Sequence, residues 1–580
     1  MRAGDLSPEY RRSALDKLRS DTFDVLVIGG GVVGTGTAID AATRGLSTAL
    51  LEARDWAAGT SSRSSKLIHG GLRYLEQFEF HLVREALKER HLLLTRLCPH
   101  LVRPVSFLYP LKHRVWERFY AGSGVALYDT LLTLGSLQGE RSVPHFKSLT
   151  RRGALRIAPG LKKDALIGAL QYYDAQVDDA RHTMMLARTA AAYGATVTSG
   201  TQVTGFLREG ERVAGVEVTD LETGEQFEVR ARVVINATGV WTDDTQELVS
   251  QRGRFQVKAS KGIHLVVPRD RIQLDTGLIL RTEKSVLFVI PWGRHWIVGT
   301  TDTDWTLSKS HPAASSSDID YVLDHVNDVL VTPLTREDVE GVYAGLRPLL
   351  AGESEDTSLL SREHSVEVPV PGLVVVAGGK YTTYRVMAKD AVDRAVRVLD
   401  RQVPECVTED VPTLGAEGYA ALVNRREALA TASGLHVARI EHLLGRYGNR
   451  IDDVLAMLAE RPELARPLPN ADDYLEVEVR YSALAEGALH LDDILTRRTR
   501  ISIETFDRGL AAAERAAEIM GEALGWDDER RRNELDYYRG RVEAERDSQN
   551  QPDDRTADAV RMGDGRSFGL GAAEALVRNG

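Results

Sequence analysis

Two runs of residues suited to chemistry stand close together between positions 24 and 76. The first, DVLVIGGGVVG, is a short apolar, β-branched segment that opens onto Gly29, Gly31 and Gly34 at G-x-G-x-x-G spacing. Gly29 permits a tight turn, Gly31 lets backbone approach a phosphate with no Cβ in the way, and Gly34 lets the next helix pack against the strand. That helix is expected to continue over 36–44. Its N-terminus, at Val32 and Val33, presents unsatisfied N–H groups and the positive end of a dipole to an anionic pyrophosphate. A second strand over 47–51 ends at Glu52, 18 residues beyond Gly34, near the ~20 expected of the acid that bonds an adenosine ribose hydroxyl. An ordinary βαβ turn is the alternative, and the order strand, glycines, helix, strand, acid favours a dinucleotide site. The second run, TSSRSSKLIHGGLRYLE, offers hydroxyl and N–H donors at Thr60, Ser61, Ser65 and Lys66.

The rest of the chain must hold these runs in place. At 580 residues it is expected to form two to four domains. A net charge of −11 argues against general nucleic-acid binding, and Cys98 and Cys406 alone make neither a disulfide framework nor a thiolate metal cluster. No H-E-x-x-H or Asp-rich loop supports a metal site. No run is apolar for long enough to span a membrane, and the polar start is read as a lead-in over 1–20, without a secretory signal. The reading that follows is a cytoplasmic protein.

Residues 79–97 and 178–193 carry helical patterns. The segment 195–234 alternates as strands around a turn at 222–224, and ends in Ala237, Thr238 and Gly239, where small residues let backbone pass a bound dinucleotide. Strands at 263–267, 285–290 and 296–300 are expected in one antiparallel sheet. At 372–385 a buried strand closes on Gly378 and Gly379 and a helix opens at Lys380, repeating the logic of the first motif. Residues 417–524 read as amphipathic helices broken by RRTR and RRR. The tail from 543 is expected to be poorly ordered. At 112–120, KHRVWERFY interleaves basic and aromatic side chains, which suits either an anionic lipid surface or a solvated loop.

The segments VIGGGVVGTG, TSSRSSKLIHGGLRYLE, YYDAQVDDAR, NATGVW, KGIHLVVP, FVIPW, VGTTDTDW, AGLRPL and GGKYTTYR together resemble the FAD-dependent, quinone-linked glycerol-3-phosphate dehydrogenases, D-amino-acid-oxidase-like flavoproteins, over nearly the whole chain. The resemblance implies an α/β fold: a Rossmann-like FAD-binding domain, an antiparallel β-sheet substrate domain and a C-terminal helical domain. The expected division is 21–245 with 340–400 for FAD, 246–339 with parts of 100–170 for substrate, 401–542 for the cap and 543–580 for the tail. It implies oxidation of sn-glycerol 3-phosphate to dihydroxyacetone phosphate, with electrons passing to a membrane quinone. The resemblance extends to a homodimer and to peripheral contact on the cytoplasmic face of the inner (plasma) membrane.

Carried onto this sequence, the resemblance implies FAD contacts at Gly70, Val203, Ala237, Gly239, Gly379 and Lys380 besides the two runs above. It implies substrate contacts at Arg73, Tyr74, Arg347, Arg362 and Thr383. Guanidinium groups are the natural partners of a phosphate because they donate bidentately. Oxidising an alcohol requires a base or strong polarisation at the hydroxyl, for which His264 is the leading candidate; a purely orienting role is the alternative. Arg347 and Lys380 complete the catalytic set. An oxidase delivering electrons to oxygen and a flavin-loaded binding protein are the competing functions.

Overall fold

The computed structural model describes residues 2–71, 79–112, 142–249, 256–283, 286–351, 363–399 and 401–562. The apolar run at 24–28 becomes the strand Thr22–Ile28, in the middle of an eight-stranded sheet. Across that sheet lie His364–Val370, Leu373–Gly378, Gln226–Asn236, Thr22–Ile28, Thr48–Leu51 and Thr196–Thr198, with Arg212–Asp220 and Thr201–Glu209 continuing from Gln226–Asn236. The strands from Leu373–Gly378 to Thr196–Thr198 are mutually parallel. Parallel strands covered on both faces need near-continuous apolar sequence, and Val25, Leu26, Val27, Val233, Val234 and Val374 have no exposed surface.

The two faces are covered differently. Helices Val32–Thr43, Asp179–Ala192 and Tyr384–Val396 share a core with Val25, Val27, Val233 and Ile235. The opposite face, with Leu26 and Val234, takes Leu15 and Leu18 from the helix Pro8–Ser20. The expected lead-in is therefore a capped element: the Ser7 hydroxyl accepts from the Tyr10 amide at 3.2 Å, satisfying a first-turn N–H. The cradle helix also starts earlier than the expected 36, at Val32, because the glycine motif itself forms its first turn. Gly36 then serves packing, since a Cβ there would lie 2.8 Å from the Tyr384 ring.

A ten-stranded sheet stands beside the first. Its long strand Val257–Pro268 pairs antiparallel with Gly341–Leu350 along one edge, and with His295–Gly299 and Thr303–Trp305 along the other. His295–Gly299 pairs in turn with Val286–Trp292, as the alternating sequence predicts. Gly341–Leu350 belongs to this sheet, not with the nucleotide-binding segments where the division at 340 put it, because its register with Val257–Pro268 runs from Leu350 to Gly341. Strands Val102–Leu111 and Gly168–Val177 complete much of the rest.

Beyond residue 418 helices dominate, around a core that includes Ile440, Leu444, Tyr447, Val477 and Ala516. The expectation of a poorly ordered tail is corrected over its described part. The helix Asp528–Ser548 runs through residue 543, and Asp554–Met562 follows it, with Ala557 fully buried and Asp554 paired with Lys261 of the second sheet. Among the described residues no helix is long and apolar enough to cross a membrane. The KHRVWERFY segment lies outside them from 113 to 120.

Candidate active site

The glycine motif and its neighbours form a cradle whose closeness leaves no room for side chains. Gly29 has φ +109°, and a Cβ on it would lie 2.7 Å from the Ala237 carbonyl oxygen. A Cβ on Gly34 would run into the Gly29 carbonyl, so the helix can approach the strand only with glycine there. The Gly31 cap has no side-chain hydrogen bond; the Val32 amide donates to Ser61 Oγ at 2.9 Å and the Gly30 amide to Glu52 Oε2 at 2.6 Å. Glu52 Oε1 also accepts from the Arg54 amide at 2.8 Å, and burial raises its pKa.

Gly29, Gly31, Val32, Glu52, Ser61 and Ala237 line a cavity of about 1860 Å³ between the two sheets and the helical domain, above the ~300–1,000 Å³ of most ligand sites and suited to an extended dinucleotide. The helix N-terminus, the absence of Cβ atoms and the half-buried acid Glu52 fit FAD. The groups placed to hold it are Gly29, Gly31, Val32, Val33 and Glu52, with Thr60, Ser61, Val203, Ala237, Gly239 and Gly379 farther along the wall. Among the described residues no cluster of three or more His, Cys, Asp or Glu is arranged to hold a metal ion.

The same cavity is lined by His264, Arg347, Lys380 and Ser65. His264 sits within Val257–Pro268, stacked on Tyr343 of the neighbouring strand at 4.8 Å, with Nε2 2.8 Å from Ser65 Oγ. Among the described residues Nδ1 is buried without a partner. Burial, then the charges of Arg347 and Lys66, hold the imidazole well below its ordinary pKa, so it is neutral at neutral pH. Arg347 donates through Nη2 to Thr300 Oγ1 at 3.1 Å and the Thr301 carbonyl at 3.2 Å, and through Nη1 to Asp302 at 3.4 Å. Gly262 makes room for that guanidinium, since a Cβ there would overlap Nη2. Lys380 follows Gly378 and Gly379, both at positive φ.

Lys66, Gly34, Gly70 and Thr383 do not reach the cavity wall. Lys66 is fully buried with Nζ 2.8 Å from Asp179, an acid that also accepts from the Ser64 amide and hydroxyl at 2.9 and 2.7 Å. Thr383 turns its hydroxyl back to the Lys380 carbonyl at 3.4 Å, and the Gly70 amide donates to Asp174. Thr60 Oγ1 is likewise engaged, with the Leu346 carbonyl at 2.6 Å. Arg73, Tyr74 and Arg362 lie outside the described residues. Sequence reasoning missed Thr300 and Asp302, which fix Arg347, and Asp179 with Arg500, which hold the Ser64–Ser65 turn from below. The first pair lay inside VGTTDTDW and Asp179 inside YYDAQVDDAR; Arg500, from RRTR, carried no local signal.

The chain matches the family of FAD dependent oxidoreductases over residues 24–394 and the C-terminal domain of alpha-glycerophosphate oxidase over 406–531. It is 60% identical over 559 residues to the glycerol-3-phosphate dehydrogenase of Mycobacterium leprae, covering 96% of this chain and 94% of that protein. It is 36% identical to the mitochondrial enzyme of that name from Bos taurus, covering 92% of this chain and 75% of that one. The glycerol-3-phosphate dehydrogenase from Bacillus halodurans, solved with FAD, superposes with a TM-score of 0.77 at 27% identity, over 93% of this chain and 98% of that one. With its glycine cradle, paired sheets and helical cap, the chain belongs to the FAD-dependent oxidoreductases, in the branch of the glycerol-3-phosphate dehydrogenases.

Proposed function

We propose that the protein oxidises sn-glycerol 3-phosphate to dihydroxyacetone phosphate and passes the electrons to a membrane quinone from the cytoplasmic face of the inner membrane. The observation that carries this reading is one wall bearing a neutral imidazole, an anchored guanidinium and Lys380 in the cavity that holds the dinucleotide cradle. FAD supplies the hydride acceptor at its isoalloxazine ring. Arg347 donates to the substrate phosphate, and its bonds to Thr300, Thr301 and Asp302 fix the direction of the fork before substrate arrives. Lys380 polarises the C2 oxygen. His264 takes the hydroxyl proton at Nε2, the nitrogen held at the Ser65 hydroxyl. Burial, then Arg347 and Lys66, disfavours an imidazolium at His264, so a phosphate dianion that offsets the two cations raises its basicity when substrate is in place.

The match to the glycerophosphate-oxidase C-terminal domain favours one second reading, in which oxygen takes the electrons. The first test is anaerobic: sn-glycerol 3-phosphate is expected to bleach the flavin band of the purified protein. A band that stays oxidised refutes the substrate assignment. The reduced protein is then expected to reoxidise faster with a soluble quinone than with air-saturated buffer; the reverse ranking supports the oxidase.

A further inference from the structure

The cavity has another basic wall, which the reaction leaves unused. Arg54 and Arg63 share an acceptor: Nη1 of each donates to the Ser310 carbonyl oxygen, at 3.2 and 3.3 Å. Both line the cavity, as does His311 beside them. Two guanidinium groups that share one oxygen repel each other, and among the described residues no carboxylate pairs with Arg63. Arg541 and Arg561 also approach from the last two helices, but each has an acid of its own, Asp492 and Glu545. Burial and the four surrounding arginines, Arg54 first, hold Arg63 well below the usual arginine range. A half-buried cation that no carboxylate faces loses hydration without recovering it from a counterion, and a pair of guanidinium forks matches the several oxygens of a phosphoryl group.

We propose that Arg54 and Arg63 form a phosphoryl-binding fork in the wall of this cavity. Two sources share that chemistry: the phosphate bridge of the bound dinucleotide and free phosphate. Position points to the bridge. Arg63 caps the Thr60–Ser62 turn, whose Ser61 hydroxyl is bonded to the first amide of the cradle helix. The inference rests on the cavity's being the dinucleotide site, and its test involves no substrate turnover, so failure of the substrate assignment leaves it standing.

The experiment compares the holoenzyme with Arg63→Gln, Arg54→Gln and Arg63→Lys. FAD release on dilution is followed by flavin fluorescence, and the thermal midpoint is read with inorganic phosphate against chloride at matched ionic strength. Arg63→Gln is expected to release FAD about tenfold faster or more, with Arg63→Lys intermediate because it keeps charge and loses the fork. Unchanged release, with a phosphate-specific rise in midpoint that Arg63→Gln abolishes, assigns the fork to free phosphate. If both readouts match wild type in Arg63→Gln and Arg54→Gln, the fork is refuted; should either glutamine variant fail to fold, Arg63→Lys decides by the same two readouts.

Discussion

His264 and Arg347 sit on neighbouring strands, and each depends on what its neighbours lack. His264 Cδ2 would lie 2.7 Å from a Cβ on Gly299, and the Arg347 guanidinium occupies space that a Cβ on Gly262 would take. The base assignment predicts that His264→Gln keeps FAD but lowers the limiting rate of anaerobic flavin reduction by ~10²–10⁴. Ser65→Ala is expected to lower it less and to displace its pH dependence, since the imidazole loses the partner of Nε2. Stopped-flow reduction across pH checks both, and a His264→Gln rate within about twofold of wild type leaves only an orienting role. The glycine spacing, Glu52 and the histidine strand were legible because their signals are local. The burial of Lys66 was not, because its partner Asp179 is distant in sequence and only the fold brings them within 2.8 Å.

The RRTR segment shows how an element can be misread from sequence alone. It reads as a break between helices, yet it clasps the helical domain to the nucleotide-binding sheet. Arg498 makes a two-pronged pair with Asp55, both bonds 2.7 Å, Arg497 reaches the same carboxylate at 2.5 Å, and Arg500 bonds Asp178 at 2.6 Å and the Ser62 carbonyl at 3.2 Å. Asp55 lies between Glu52 and Thr60 and Asp178 adjoins Asp179, so the clasp grips both loops that shape the cavity. Removing one partner of a buried pair leaves an uncompensated charge and costs ~3–5 kcal/mol. Asp55→Asn is expected to lose stability on that scale in urea and to purify with less FAD; unchanged values for both exclude the clasp as a support of the site. The last helix, and the end of the one before it beyond residue 543, escaped the sequence reading for a related reason. DSQNQPDDRTADAV has little apolar content, and its helix is held by Ala557 and by Asp554 on Lys261.

At the scale of the whole molecule the two-sheet plan was legible because parallel and antiparallel strands carry different apolar periodicities, whereas the allocation of Gly341–Leu350 needed a pairing register that no single strand encodes. The domains meet through buried titratable groups, which sets how stability responds to pH. Burial, with Arg181 adding to it, lowers His100 to about 3; burial also lowers His182 to about 4, although Asp179 opposes it. Below their unfolded pKa of ~6.5 the unfolded chain takes up protons that the folded one refuses. Stability therefore falls on acidification from ~6.5 toward 4, by ~1.4 kcal/mol per pH unit for each histidine. His490 has the opposite sign. Burial would lower it, but hydrogen bonds to Glu222 and Glu534, both at 2.8 Å, raise it to about 10. Its contribution is complete below ~6.5 and is lost as pH rises toward 10. The thermal midpoint is expected to peak near neutrality, with His182→Gln flattening the acid limb and His490→Gln the alkaline one. An alkaline limb that keeps its slope in His490→Gln would show that the junction between Glu222 and the helical domain does not set stability there.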